Sequence, residues 1–433
     1  MKQQRILVRS IVLMTLLALS AQGEGPLYVG GPPDIPTILV RGTTVPGLPF
    51  KWTVNPVTYW TDQGQVGTQS KAQADALVLA AFKAWEDVPT ATIAFGKAGD
   101  LAADITGSNV LEMMDDLFNC AAPIPAGSLA KDRVILYDDV HGNVIRALGG
   151  DPNLVAGTAS PTCLEGNGQV NFFNRGFAIL NGVGIYDASN LELLKFVMIH
   201  EFGHLVGLDH SQLNGGCLWQ NCGPGKGEGL PTMLPFIALP DQQLSLAPDD
   251  IVGVSELYPE SSYATSTGKI SGRVLFSDGV TPAQGFNVIA RLTSDPGGVA
   301  VSTVSGYLFT TDAGNPFFAG PLFFSPSPFG TRDPSLIGYF EIPGLSPGEY
   351  TLEVEAVSRY FIWGSSVGPI GPLGFQFPWP NDICYRDYWD VSESNLDLCD
   401  AKSTITVTAG ATSAGYDVIL DRGAPTYDAW EGN

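Results

Sequence analysis

The stretch HEFGHLVGLDH, residues 200–210, holds three of the chain's four histidines. His200 and His204 lie four apart, so a helix puts both imidazoles on one face, where they can bind one ion. Glu201 is offset from them by about a hundred degrees of helical turn, which lets it reach a metal-bound water without becoming a ligand. A continued helix would carry His210 too far along the axis to share the ion. Gly207 permits the helix to stop and the chain to bend sharply, through a positive φ. That turn brings His210 back as the third ligand. Three neutral imidazoles leave a zinc ion one open position for water. The ion acidifies that water and polarises a carbonyl, while Glu201 takes the proton, assists attack and passes the proton to a leaving amine. No second electrophile is visible in the sequence, so the oxyanion falls mainly to zinc. A bare HExxH arises by chance; the added glycine and third histidine make the pattern specific. A structural zinc site would close the fourth position with a protein ligand and leave Glu201 unexplained.

These residues need a scaffold. The run 191–206, LELLKFVMIHEFGHLV, has no proline and is preceded by Ser189 and Asn190 as caps, with Asp187 close by. It predicts a helix. A second helix is expected over 71–85, where Ala74, Leu77, Val78, Ala81, Phe82 and Trp85 recur at helical spacing. A third is expected from Pro248 to Tyr258, with Asp249 and Asp250 favouring its positive end. Strands are expected at 52–60, 90–95 and 133–137, and at 170–173 as an edge strand beside the cleft. Together these predict an α+β domain over 50–262.

A polar linker at 263–267 follows, and then the texture changes. Short strands are expected at 269–276, 287–292, 339–342, 350–357 and 404–408, separated by turns such as Pro343–Gly344 and Pro347–Gly348. That is the pattern of an all-β sandwich, here over 268–422, with two long Gly/Pro/aromatic-rich interruptions at 293–336 and 358–402. Residues 423–433 read as a tail.

The 433 residues suffice for two or three domains. Lys2, Arg5 and Arg9 precede an apolar run at 11–19 and then small residues, so 1–22 reads as a secretory signal peptide. The run is too short to serve as a membrane anchor, and no later segment is long and apolar enough to span a bilayer. Residues 23–49 are an extended lead-in or a short pro-segment. Six cysteines fit an exported protein. Proximity suggests the pairs Cys120–Cys163, Cys217–Cys222 and Cys384–Cys399, out of about fifteen pairings open to six cysteines. The net charge of −22 argues against non-specific nucleic-acid binding. It leaves room for structural calcium, with Asp138 and Asp139 as candidates and a solvated turn as the alternative.

HEFGHLVGLDH resembles the long zinc signature of the metzincins, and especially the matrixin branch of matrix-metalloproteinase-like enzymes. The resemblance covers about 50–259, including the helix with Ala80, Phe82 and Trp85, the strand near Phe95 and the closing helix. It implies a secreted zinc endopeptidase that hydrolyses internal peptide bonds of proteins or peptides. It also implies a Met-turn, matched by Pro231-Thr232-Met233-Leu234-Pro235, with Met233 beneath the ligands; ordinary core packing is the bland alternative for Met233. Leu234, Pro235 and Phe236 would then line the S1′ pocket. There are departures. Twenty-two residues separate His210 from Met233, including Cys217 and Cys222. No cysteine lies between the signal and the catalytic domain, so the family's cysteine-switch latency is not expected. Only His141 remains outside the triad, and it reads as a surface-turn residue rather than a ligand of a second zinc.

The C-terminal region resembles the carboxypeptidase-regulatory-like or prealbumin-like β-sandwich, through GKISGRV at 268–274, GYFEIPGLSPGEYTLEV at 338–354 and TITVTAG at 404–410. Trp and Tyr residues in 359–389 are candidates for binding a polymer or a surface; packing within the loops is the alternative. The combination points to a secreted bacterial protein. Two other functions compete: an inactive adhesive or matrix-binding protein on a protease-like scaffold, and a zinc amidase acting on cell-envelope peptides. Turnover after Glu201→Gln separates the first, and a substrate panel the second.

Overall fold

A computed structural model describes residues 25–28, 30, 40–45, 47–183, 191–211, 213–214, 229–235, 243–283, 285–306, 334–356, 386–396 and 401–421. Among these, the N-terminal half is built on one mixed sheet. Its strands are β1 (Val40–Thr43), β2 (Phe50–Lys51), β3 (Val57–Thr61), β4 (Phe95–Asp100), β5 (Arg133–Tyr137), β6 (Gly157–Asn167) and β7 (Asn171–Leu180). They are ordered β1-β6-β7-β5-β3-β4, with β2 added alongside β7. All pairings are parallel except β6 with β7.

Two long helices, α1 (Lys71–Glu86) and α4 (Leu191–Val206), pack against each other and the sheet. They form as the apolar spacing predicts. Ser70 and Gln73 close a capping box at the start of α1. Thirteen of the sixteen residues of α4 are buried, so it is a core helix rather than an amphipathic surface one. Phe82 of α1 stacks on Phe202 of α4 at 4.0 Å and on Phe95 at 4.3 Å. A second core lies on the other side, under the short helices α2 (Val110–Phe118) and α3 (Asn143–Leu148), neither expected from the sequence. The Cys120–Cys163 disulfide ties the end of α2 to β6 as expected. The Cys217–Cys222 and Cys384–Cys399 pairs lie outside the described residues.

Several expectations change. The strand expected at 52–60 starts only at Val57, after β2 has ended at Lys51. The expected Pro343–Gly344 turn lies within the strand Tyr339–Leu345, as an irregularity in its pairing with Gly268–Leu275. The strand expected at 90–95 begins only at Phe95 and runs to Asp100, because Asn55 donates to the Thr92 carbonyl and accepts from the Ala94 N–H, spending that backbone on a side chain. Residues 170–173 are not an edge: Asn171 and Phe172 pair with β6 on one side and with β2 on the other. The 263–267 segment carries a helical turn, α6 (Tyr263–Ser266), with Tyr263 buried.

The lead-in is woven into this domain. Leu27 donates to the Gly207 carbonyl at 2.7 Å, Asp209 donates to Gly25 at 2.9 Å, and the Tyr28 hydroxyl meets Ser160 Oγ at 2.9 Å. After α5 (Pro248–Leu257) and α6 come two sheets. One is ordered β10 (Ala300–Val304), β9 (Phe286–Leu292), β12 (Gly348–Ala356), β13 (Arg386–Tyr388), with β14 (Ile405–Val407) also on β12. The other holds β11 (Tyr339–Leu345), β8 (Gly268–Leu275) and β15 (Thr412–Ala414), with β16 (Val418–Ile419) on β8. Their inner faces share one core, including Ile270, Val288, Phe340 and Leu352, which makes a β-sandwich. Among the described residues no helix is long and apolar enough to cross a membrane.

Candidate active site

The site starts with how α4 ends. The N–H of Leu208 donates to the Gly203 carbonyl at 2.9 Å and that of Gly207 to His204 at 3.0 Å. This is a Schellman closure, and Gly207 sits at φ +112° as such a closure requires. A Cβ at Gly207 would also stand 2.8 Å from the Phe173 ring. Two neighbours satisfy carbonyls the helix end leaves over: the Trp52 indole donates to Leu205 at 2.7 Å and the Tyr258 hydroxyl to Val206 at 2.6 Å. The chain then reverses, and His210 returns to the face holding His200 and His204.

Nε2 of His210 lies 3.1 Å from Nε2 of His200 and 3.0 Å from Nε2 of His204. The three residues are buried, and their ring nitrogens form one metal-capable cluster. Nδ1 of His200 points at the Thr232 carbonyl at 2.7 Å, and Nδ1 of His204 at the Leu208 carbonyl at 2.9 Å. A carbonyl only accepts, so each Nδ1 carries the proton and each Nε2 presents a lone pair. Burial pushes His200 down to about 4 and His204 down to about 3, and holds His210 well below the usual imidazole range. Neutral rings with converging lone pairs repel one another unless a cation lies between them. His210 can donate one proton to one neighbour and cannot satisfy both. The donor set therefore fits zinc, whose ligands in a tetrahedral His₃ site stand at about this separation.

Glu201 follows the first ligand and is 4% exposed. It faces β6. The Ala159 N–H donates to its carboxylate, and Gly157 presses on it so closely that a Cβ there would stand 2.8 Å from Glu201 Cγ. Burial pushes the Glu201 carboxyl up to about 8, and the Ala159 bond opposes that. A cation among the three histidines acts in the same sense as Ala159, favouring the carboxylate. Any side chain at 157 collides with the carboxyl, so β6 begins with glycine where it crosses the helix.

Below the triad, a Cβ on Gly203 would stand 2.3 Å from Met233 Sδ and 2.7 Å from the Trp85 ring. Met233 is thus packed directly under the helix turn that joins His200 and His204. Trp85 has little freedom to retreat, since its indole donates to the Ile199 carbonyl at 2.9 Å. Gly203→Ala is expected to cost about 1–3 kcal/mol of stability through overpacking. Denaturant unfolding beside the wild type measures this, and equal midpoints would show that Met233 yields freely.

Sequence reading missed the residue that holds this floor. Asp249 and Asp250 stand in the first turn of α5 as expected, and both are buried. Asp250 accepts from the N–H groups of Thr232 at 2.8 Å, Met233 at 3.1 Å and Ala247 at 2.6 Å. It thereby sets the Thr232 carbonyl that orients His200. A buried acidic residue 17 positions from Met233 is invisible to spacing arguments. The β6 residues Gly157 and Ala159 were missed as well, because nothing local marks them. Leu234 is buried and Pro235 half-buried, while Phe236 lies outside the described residues. Asp138 accepts from the N–H groups of Asp139, Val144 and Ile145, capping α3, and Asp139 accepts from the His141 N–H. His141 is exposed in that turn.

A buried three-histidine metal site on an α+β zincin scaffold, followed by a β-sandwich, defines a zinc-dependent metallopeptidase. The family comparison agrees: residues 51–259 match the peptidase family model described as Matrixin. This segment is a matrixin catalytic domain, and the protein is a zinc-dependent metalloendopeptidase. No curated protein matches the chain.

Proposed function

We propose that the protein is a secreted bacterial endopeptidase that binds protein or peptide substrates as an added strand on β6 and uses Glu201 as its general base and acid. The observation that carries this is the contact between Glu201 and the start of β6. Zinc held by His200, His204 and His210 supplies Lewis acidity, acidifying water and polarising the scissile carbonyl. Glu201 accepts a proton from the attacking water and returns it to the leaving amine. Nδ1 bonds to Thr232 and Leu208 keep the lone pairs of His200 and His204 aimed inward.

The substrate side follows from strand geometry. Leu180 and Gly176 of β7 spend backbone groups on the β5 side, Leu180 accepting from Asp138 and Gly176 donating to Asp132. Their β6 partners, Gly157 and Pro161, therefore turn their backbone groups away from β7. β1 covers only Leu164–Asn167 of β6, so among the described residues 157–163 has no strand on that side. An extended peptide pairing there lies across Glu201. Pro161 has no N–H and its carbonyl already accepts from the Ser160 hydroxyl at 2.9 Å, which limits the pairing at that position.

Secretion rests on the 1–22 segment. The lead-in contacts favour its retention in the mature chain, since Gly25 and Leu27 are bonded to the turn before His210. Mapping cleavages in a whole-proteome peptide library tests the reading. Products should be internal and absent from a chelated control. Cleavage confined to cell-envelope peptides would favour the amidase alternative, and identical products with and without chelator would sink a zinc-dependent activity.

A further inference from the structure

Both described ends of the segment that joins His210 to Met233 rest on the β-sandwich. Ser211, next to the third histidine, donates from Oγ to Asp249 Oδ2 at 2.6 Å, and its N–H donates to the Met233 carbonyl at 2.9 Å. The other oxygen of Asp249 accepts from the N–H of Ser302 on β10 at 2.7 Å. Three residues on, Asn214 adopts φ +58° and accepts from Arg291 Nη1 of β9 at 2.8 Å. The same guanidinium donates through Nε to Glu353 of β12, which is 0% exposed, and through Nη1 to the Pro296 carbonyl. Asn214 also donates to Gly229, which sits so close to the sandwich that a Cβ there would stand 2.4 Å from the Gly297 carbonyl. Leu213 is buried with Ile289 and Ala300 between these polar grips. Val252 of α5 belongs to the sandwich core itself.

An accessory domain on a tether would show none of this. A buried arginine–glutamate pair is costly to desolvate and adds little stability over apolar packing, but it imposes one geometry on whatever it holds. Here it holds the backbone that carries a zinc ligand. α5 is shared in the same way: Asp249 faces the sandwich, while Asp250 beside it fixes Thr232 and Met233. We propose that the β-sandwich is a positioning part of the zinc centre, with Arg291 acting through Asn214 and Ser302 through Asp249 to hold His210 and the Met233 turn in register. Neither Arg291 nor Ser302 is a catalytic residue.

This inference rests on the three-histidine zinc site, and its primary readout is metal retention rather than cleavage. Full-length Asn214→Gly, which tolerates the positive φ while removing the amide, is compared with Arg291→Met and wild type. Thr406→Ala, which removes an exposed hydroxyl bonded to Glu349 and none of the grips, is the control. The rate of zinc loss to a chelator is measured well below the unfolding temperature, together with kcat and KM. Losing a hydrogen bond to a charged group from the ligand-bearing segment should speed zinc release about tenfold in Asn214→Gly and at least as much in Arg291→Met. Thr406→Ala should match the wild type, and kcat should fall more than KM rises. Zinc release within twofold of wild type in a folded Asn214→Gly protein would overturn the proposal. So would release that merely follows global unfolding, or failure of Asn214→Gly to fold at all. If only Arg291→Met fails to fold, Asn214→Gly decides. A wild-type chain that holds zinc yet cleaves nothing would refute the enzymatic reading and leave this one measurable.

Discussion

Glu201→Gln should lower kcat for peptide hydrolysis by about 10²–10⁴-fold, the usual contribution of a positioned general base, while zinc content stays at one per chain. Gln is nearly isosteric with Glu and retains an oxygen to accept the Ala159 N–H, so the contact with β6 survives. Its amide cannot accept the proton that attack releases. The Nε2 lone pairs of His200 and His204 are untouched, because their orientation depends on Thr232 and Leu208 and not on Glu201. Elemental analysis and steady-state kinetics on the same sample check both halves. Activity within tenfold of wild type would remove Glu201 from the proton path. Unchanged binding to a polymer with no turnover in either form would instead favour the adhesive alternative.

Asp250→Ala should be the most destabilising single substitution near the site. It strands the N–H groups of Thr232, Met233 and Ala247, which Asp250 now satisfies from a fully buried position. Each orphaned buried donor costs about 1–3 kcal/mol, so a loss of at least about 3 kcal/mol is expected. Burial pushes this carboxyl up to about 7 against those three donors, a measure of how far from water the protein keeps it. The effect should reach the metal as well. Thr232 presents the carbonyl that fixes the His200 tautomer, so a displaced Thr232 weakens zinc binding beyond the change in stability. Asp250→Asn, which retains one acceptor oxygen, should fall between wild type and Asp250→Ala. Denaturant unfolding and a zinc-binding titration measure the two effects separately. Equal zinc affinity in a destabilised Asp250→Ala protein would show that the Met233 turn is stabilising without being positioning.

How far the sequence reaches depends on the range of the interaction. Helices α1 and α4 were legible because their apolar periodicity is strong and free of proline, and both end within a residue or two of the expected points. The strands β5, β8, β9, β11, β12 and β14 were legible for the same reason, with β-branched and aromatic runs between Gly/Pro turns. Short elements escaped. α3 has six residues, too few for a period to show, whereas α2 carries one in Val110, Met113, Met114, Leu117 and Phe118 that nine residues made easy to pass over. β6 carries small and polar residues, Gly157 through Thr162, that resemble a loop until the sheet pairs them.

The zinc chemistry of this protein is a local property. Four-residue spacing puts His200 and His204 on one helical face, and a glycine able to adopt φ +112° returns His210 to them, so eleven consecutive residues specify the donor set. What surrounds that set is decided by contacts between residues far apart in the chain. Gly157 of β6 meets Glu201 of α4, Asp250 reaches back to the Met233 turn, and Arg291 reaches Asn214 across 77 positions. Backbone propensity and spacing carry no information about such pairs. They arise when buried polar groups must find partners and buried side chains must find room, and both conditions exist only once the chain has folded.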